Sequence, residues 1–272
     1  MRKQPVIWVL AVLSAAIISS PLFAESIPVR FTSGLLHGFL VLRNRNDEPL
    51  AAGEITQFTH GDQVTNHLVF HFRDGSLNEE TVVFSQHKNF QLISDHLVQK
   101  GSSFPHPLDV LITKATGQIT IHYTEDGQEK TINDRLTLPL DVANGLWLTV
   151  LQNIRPTTSK ATISMVAITP KPRLVKLIIT PSGQESFTVG NSKHTATHYV
   201  VKIDIGGVAG AVAPVVGKQP PDMHVWIAGE QAPVLVKMEG PLYNEGPIWR
   251  IEMASPTWPQ SNSESKSDRK PR

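Results

Sequence analysis

The chain alternates in twos over most of its length. Leu68, Phe70 and Phe72 fall on one face of an extended segment and His67, His71 and Arg73 on the other. That is the pattern of a strand buried on one side. Ile119, Ile121 and Tyr123 repeat it against Gln118, Thr120 and His122, as do Tyr199, Val201, Ile203 and Ile205 against Lys202 and Asp204. Val234, Val236 and Met238 oppose Lys237 and Glu239, and Trp249, Ile251 and Met253 oppose Arg250 and Glu252. The turn signals Asp74-Gly75, Thr116-Gly117, Asp126-Gly127 and Ser182-Gly183 separate such runs at hairpin spacing. The prediction is a mainly β protein, a large curved antiparallel meander forming an open barrel or a sandwich.

One stretch breaks the period. Val142, Leu146, Trp147, Val150, Leu151 and Ile154 make a helical stripe, with Asp141 placed to cap its start and Pro156 just past its end. A single covering helix near 141–154 is expected, although Gly145 inside it costs about 1 kcal/mol. It splits the all-β region 25–259 into halves, 25–139 and 160–259, which form either one continuous curved sheet or two domains.

The ends read differently. Arg2 and Lys3 precede an apolar run from Val6 to Ser19, and Ala24 offers a small residue to cut behind, so residues 1–24 are expected to be a signal peptide. The rival reading is an uncleaved anchor, which Ser19, Ser20 and Pro21 argue against. Glu25 stands where a lipid-bearing cysteine would follow a cut, so no stable membrane span or lipid tether is expected after cleavage. The Ser- and charge-rich residues 260–272 hold no apolar side chain and are expected to be a disordered tail. With no Asn-x-Ser/Thr sequon, a bacterial periplasm or exterior fits best.

The chain contains no cysteine, so an exported fold has no disulfides and depends on buried apolar surface. Removing 24 of its 272 residues leaves 248, enough for a sizeable core. The cut takes the formal charge from +1 to −1. No basic field gathers phosphates, and nucleic acid is excluded as a partner.

Chemistry is sparse. There is no Gly-x-Ser-x-Gly elbow, no His-Glu-x-x-His and no thiolate, and neither a catalytic residue, a metal site nor a cofactor is assigned. His67 and His71, and His194 and His198, stand four apart. On a strand that spacing separates the side chains by about 13 Å, too far to share one zinc. Ser85-Gln86-His87-Lys88 spells Ser-x-x-Lys at a strand end, where that pair has no helix to work from. Asp222, His224 and Lys218 could be drawn as an acid-base cluster, but loop charges after Pro220-Pro221 read as solvated.

Residues Gly206 to Gly217 are small, apolar and glycine-rich, with neither the spacing of a phosphate loop nor the length of a span. They read as an ordered loop between strands or as an apolar flap over a ligand mouth. Beyond them, Trp226-Ile227, a turn, Pro233-Val234-Leu235-Val236-Lys237 and a final strand resemble the closing hairpin of exported bacterial domain-of-unknown-function proteins. These in turn resemble the lipoprotein-localisation carriers. The resemblance implies a curved sheet around an apolar cavity plugged by helices, with a taste for acyl chains. The expectation is a non-enzymatic exported protein that binds an apolar small molecule, a lipid or an envelope protein in the concave face. Trp147, Val208, Val212, Trp226, Tyr243 and Trp249 are the candidate ligand-binding residues. The alternatives are an exported hydrolase whose residues meet only in three dimensions and a structural subunit of an envelope assembly.

Overall fold

A computed structural model describes residues 27–125, 127–169, 171–189, 192–206 and 219–254. The expected signal peptide 1–24, the tail 260–272, and Val208 and Val212 lie outside the described residues. The strands are β1 (Leu36–Arg43), β2 (Pro49–His60), β3 (Gln63–Phe72), β4 (Leu77–Ser85), β5 (Gln91–Lys100), β6 (Leu108–Thr113), β7 (Gln118–Glu125) and β8 (Gln128–Arg135). A helix, α1 (Trp147–Gln152), follows. Then come β9 (Ala161–Ala167), β10 (Arg173–Val189), β11 (Ser192–Asp204), β12 (Met223–Ala228), β13 (Val234–Gly240) and β14 (Trp249–Met253).

All 14 strands belong to one antiparallel sheet, running from β8 back to β1, then β14 back to β9. The sheet curves but does not close, for β8 and β9 are its two free ends. The curvature follows from the core. Val82, Phe84, Ile112 and Ile119 from one flank share a single apolar cluster with Ile163, Leu177, Val201 and Val225 from the other. A flat sheet could not bring residues so many strands apart into one cluster. A second cluster forms where β1 to β3 meet β14, around Leu42, Phe70, Phe72, Phe104, Trp249 and Ile251. The two runs of strands therefore meet in the middle, where Leu42 stands opposite Ile251.

The helix is shorter than the hydrophobic stripe predicts. The six stripe residues Val142 to Ile154 do pack into the first cluster, Trp147 at its margin. Only Trp147–Gln152 is helical, however, and no side chain caps it. Residues before it run along the edge of β9 instead, with Val142 bridging Ser164 in parallel. The Ala143 N–H donates to the Ser164 carbonyl, and the Ser164 N–H donates to the Asp141 carbonyl. The Asn144 side chain extends the imitation of a strand, donating to the Val166 carbonyl and accepting from the Val166 N–H, each at 2.9 Å. Asp141 is thus no cap. Its carboxylate accepts from Ser164 Oγ at 2.8 Å. The segment satisfies an edge that would otherwise expose unpaired backbone groups.

Two other elements depart from the sequence pattern. A bulge in the β12–β13 ladder shifts register between Trp226 and Ile227, which stand opposite Lys237 and Leu235. Leu235 therefore packs against the inner cluster, while Val236 packs on the opposite face and Val234 is exposed. A bulge adds one residue to one strand and reverses the face of all that follow. Ser182-Gly183 is likewise no turn. It sits inside β10 at the register shift between Pro181 and Gly183, and the hairpin continues to Val189 opposite Ser192. The turn at Gly117 holds: its φ is +69°, and a Cβ there would meet the Leu136 carbonyl oxygen at 2.1 Å.

Gly145 joins the connecting segment to the far flank. A Cβ on it would lie 2.3 Å from Val82 Cγ2 and 2.7 Å from the Glu80 carboxyl. Gly145→Ala is therefore expected to destabilise the fold by about 1–3 kcal/mol as the plug is pushed off β4. Gly34→Ala, with nothing within 4 Å of the added methyl, should be close to neutral. Urea unfolding midpoints of the two variants check this.

Candidate functional site

Between the two apolar clusters the inner face turns polar. Asn66, Val82 and Asp95 stand in one row across β3, β4 and β5, and Glu80 occupies the next row between Leu68 and Leu97. Alternation places Asn66, Glu80 and Asp95 on the same concave face. Asp95 is 4% exposed, and its Oδ2 accepts the Gly145 N–H at 3.3 Å. Asn66 Oδ1 and Asp95 Oδ1 have no protein partner among the described residues. Burial pushes the Asp95 carboxyl up to about 6, against the pull of the Gly145 N–H and of nearby His96. Burial, and then the Asp95 charge, raise the Glu80 carboxyl well above the usual range. The row leaves two acceptor oxygens without a partner among the described residues, and protonating a carboxyl adds a donor beside them.

Nearby amides tie the N-terminal segment to the same region. Gln86 accepts from the Ser33 N–H and donates to the Ser33 carbonyl, and Gln57 Nε2 donates to the Gly34 carbonyl. Asn153, just beyond α1, accepts the N–H groups of Arg30 and Phe31 on its Oδ1. The interior around α1 is filled. The void beside it measures about 10 Å³, lined by Ile27, Phe90, Leu146, Val150 and others, and one water needs about 10–15 Å³.

On the outer face of β11 to β13 a stack of rings forms. His198 lies parallel to Trp226, ring centroids 4.5 Å apart, and Lys237 Nζ covers the Trp226 ring at 3.8 Å. Trp226 Nε1 donates to Glu185 at 2.8 Å, and His198 Nε2 meets His224 Nδ1 at 2.9 Å. Glu185 Oε1 lies 3.2 Å from His198 Nδ1. Burial lowers the His198 pKa more than Glu185 raises it, and the His224 and Lys237 charges add to the lowering. Cross-strand packing of this kind ties Glu185, on the far part of the long β10–β11 hairpin, to the sheet.

A pocket of about 460 Å³ opens at the rim, where the β1–β2 turn meets the segment leading into β14. Asn44, Arg45 and Asn46 line one side, and Pro221, Gly246, Pro247, Ile248 and Trp249 line the other. Its size falls within the range of about 300–1,000 Å³ common for small-molecule sites. The turn is braced from within, for Asn44 Oδ1 accepts the N–H groups of Asn46 and Glu48. It is also braced from β14, for Arg250 pairs with Asp47 and Arg43 lies 3.6 Å from Glu252. Tyr243, Phe104 and Phe72 pack edge-on or tilted against Trp249, centroids 5.4–6.1 Å apart.

The candidate residues thus separate. Tyr243 and Trp249 come together at the rim, Trp147 lies with α1 in the other cluster, and Trp226 faces outward. Both histidine pairs lie on strands, His67 and His71 on β3 and His194 and His198 on β11. Ser85 ends β4 and Lys88 stands in the loop beyond, so Ser-x-x-Lys is on no helix. Asp222 Oδ2 lies 4.0 Å from Lys202 Nζ while His224 meets His198; Lys218 is outside the described residues. No helix among the described residues is long and apolar enough to cross a membrane. The Glu80–Asp95 pair and Arg45 were not among the candidates. Glu80 had a signal, since it breaks the apolar alternation of β4 as Asp95 breaks that of β5, but only pairing shows the two breaks adjacent.

No family model matches the chain, and no curated protein matches it in sequence. Among solved structures it is similar to a beta-barrel-like protein of domain of unknown function DUF1849 from Brucella abortus. The identity is 7% and the TM-score 0.41, over 82% of this chain and 98% of that one. The fold described above rests on its own strand pairings.

The buried carboxyls give the fold a pH dependence of definite sign. Between the ordinary value of 3.8 and about 6, the native state holds more proton on Asp95 than the unfolded chain does. Stability therefore falls as pH rises through that window, by on the order of 3 kcal/mol. Asp95→Asn should flatten this part of the stability profile in urea unfolding from pH 3.5 to 7.5, at about those bounds. A variant profile as steep as the wild type would show that Asp95 does not carry the effect.

Proposed function

We propose that the protein is a non-enzymatic, exported binding protein of the bacterial envelope. Its ligand has an apolar body and a polar or anionic end, and sits at the rim beside Trp249. The rim pocket carries this reading: it is a roomy, braced concavity among the described residues, with Asn44, Arg45 and Asn46 on one side and proline, isoleucine and tryptophan on the other. The likeness to the lipoprotein-localisation carriers belongs to the same proposal, in that a curved sheet surrounds a plug. Here α1 and its flanks fill the curl, which favours the rim over the interior. Pro221, four residues past Gly217 in the sequence, lines the same pocket.

A hydrolytic reading has one observation in its favour, the meeting of His198, His224 and Glu185. The His198 ring is stacked on Trp226, and the polar partners of both imidazoles among the described residues include no hydroxyl. Binding is the better account.

Dodecanoate, a single chain with one carboxylate, is the simplest probe. Isothermal titration calorimetry should show it binding the purified chain, with Arg45→Ala weakening it about tenfold, as loss of one charge-assisted hydrogen bond does. Equal binding by the variant would remove Arg45 from the site. Export is tested separately: N-terminal sequencing of the protein from a periplasmic fraction should begin at Glu25, and material beginning at Met1 in the cytosol would refute it.

A further inference from the structure

The sheet has two ends, and they are treated differently. The outer edge of β9 is occupied by residues 141–144, whereas β8, Gln128 to Arg135, meets only β7 among the described strands. In an antiparallel ladder, alternate residues direct their N–H and C=O groups to opposite sides. Glu125 and Gln128 close the β7–β8 hairpin over two residues, and the Leu136 N–H donates to the Gly117 carbonyl. Both place the even-numbered residues of β8 in hydrogen-bonded pairs with β7. Glu129, Thr131, Asn133 and Arg135 therefore aim their backbone groups outward. All four are exposed. The Arg135 N–H is held by the Asp134 carboxylate at 2.7 Å, a contact at the open edge that a strand partner would replace.

We propose that β8 pairs antiparallel with β8 of a second copy of this chain, about a two-fold axis at Ile132, so that the two sheets become one. The strand's charges specify that register. With Ile132 opposite Ile132 of the other copy, Glu129 faces Arg135, Lys130 faces Asp134 and Thr131 faces Asn133, and symmetry repeats each pair. Every charge on the strand meets its opposite. Glu129 and Arg135 lie on the outer face and Lys130 and Asp134 on the inner one, as Tyr123, Ile121 and Ile119 opposite Lys130, Ile132 and Asp134 require. Outward-directed residues also meet outward-directed residues, as hydrogen bonding across the axis needs.

The neighbouring registers fail. A shift of two residues one way sets Glu129 against Asn133 and Lys130 against Ile132; the other way sets Ile132 against Asp134 and Arg135 against Thr131. Neither pairs a single charge with its opposite. A shift of one residue turns the outward groups of one strand toward residues whose own groups point to β7. Lys130 already pairs with Glu125 in its own hairpin and would be shared between two carboxylates. Charged edges commonly guard against pairing with other proteins. This one leaves its charges unmatched in the neighbouring registers while matching its own copy, and such a self-complementary patch is what a two-fold dimer uses.

Sedimentation velocity of the purified full chain over a concentration series tests the pairing. The wild type should self-associate to a dimer. Arg135→Glu and Glu129→Arg should each raise the dissociation constant about tenfold, since either turns two symmetry-related attractions into repulsions. Combining E129R with R135E should restore dimerisation to within about threefold of the wild type, an outcome that general destabilisation would not produce. Thr131→Pro removes an N–H that the chain's own ladder does not use and should dissociate the dimer, whereas Thr131→Val, which loses the same hydroxyl contact with His122 but keeps the N–H, should still dimerise. A chain that stays monomeric up to about 1 mM, single reversals that associate like the wild type, or a double reversal that remains monomeric would each overturn the proposal.

Discussion

The docking of residues 139–154 into the curl of the sheet is the interaction on which the rest depends. The two flanks of the sheet are hydrogen-bonded to each other only where β1 meets β14, and their outer ends, β8 and β9, do not pair. They are joined through the plug. Asn144 and its neighbours complete β9 on one side, Gly145 lies against β4 and β5 on the other, and Leu146, Val150 and Leu151 fill the space between. A side chain at 145 would collide with Val82. The helical stripe thus records burial on all sides of a short plug, and the absent Cβ sets how closely the curl can wind. Without disulfides, the apolar contact around this plug is what opposes the entropy of the open sheet.

Close docking carries a cost in polar groups. Gly145 comes to rest on Asp95 and Glu80, and the seal that makes the plug tight also removes water from both carboxyls. Their raised pKa values are consequences of the seal rather than a separate design. The same polar strip separates the two apolar clusters. It marks where the plug ends and where the β1–β3 and β14 cluster, with Phe104 and Trp249, takes over.

Much of this was legible. Period-two alternation located the strands because one face of each is buried, and it sorted the faces correctly wherever the ladder is regular. It failed at β13, where a bulge moved Leu235 inward in place of Val234 and Val236, and at Ser182-Gly183, where a turn dipeptide was absorbed within a long strand. A helix of fourteen residues was expected where six form, because a stripe reports which side chains are buried and not which backbone groups find partners. The Asp141 to Asn144 backbone found the edge of β9. Of the residues that line the rim pocket, Trp249 was singled out in advance. Arg45 was not, since a single arginine in a turn carries no periodic signal and gains meaning only when β14 brings Trp249 beside it.

Filling the curl has a consequence for recognition. A sheet whose concave face is occupied by its own chain presents its outer face and its margins, and the margins here differ in chemistry. The rim beside Trp249 combines aromatic surface with the exposed Arg45 cation, suited to something small and amphipathic. Among the described residues the β8 edge offers outward-directed backbone groups and alternating charge, which suits a strand. The β9 edge offers neither, because residues 141–144 have covered it. A protein that needed only to be stable could have covered both edges, or closed the sheet upon itself. Its chain spends the segment between β8 and β9 on the plug and on one edge alone, and among the described residues β8 pairs with β7 only.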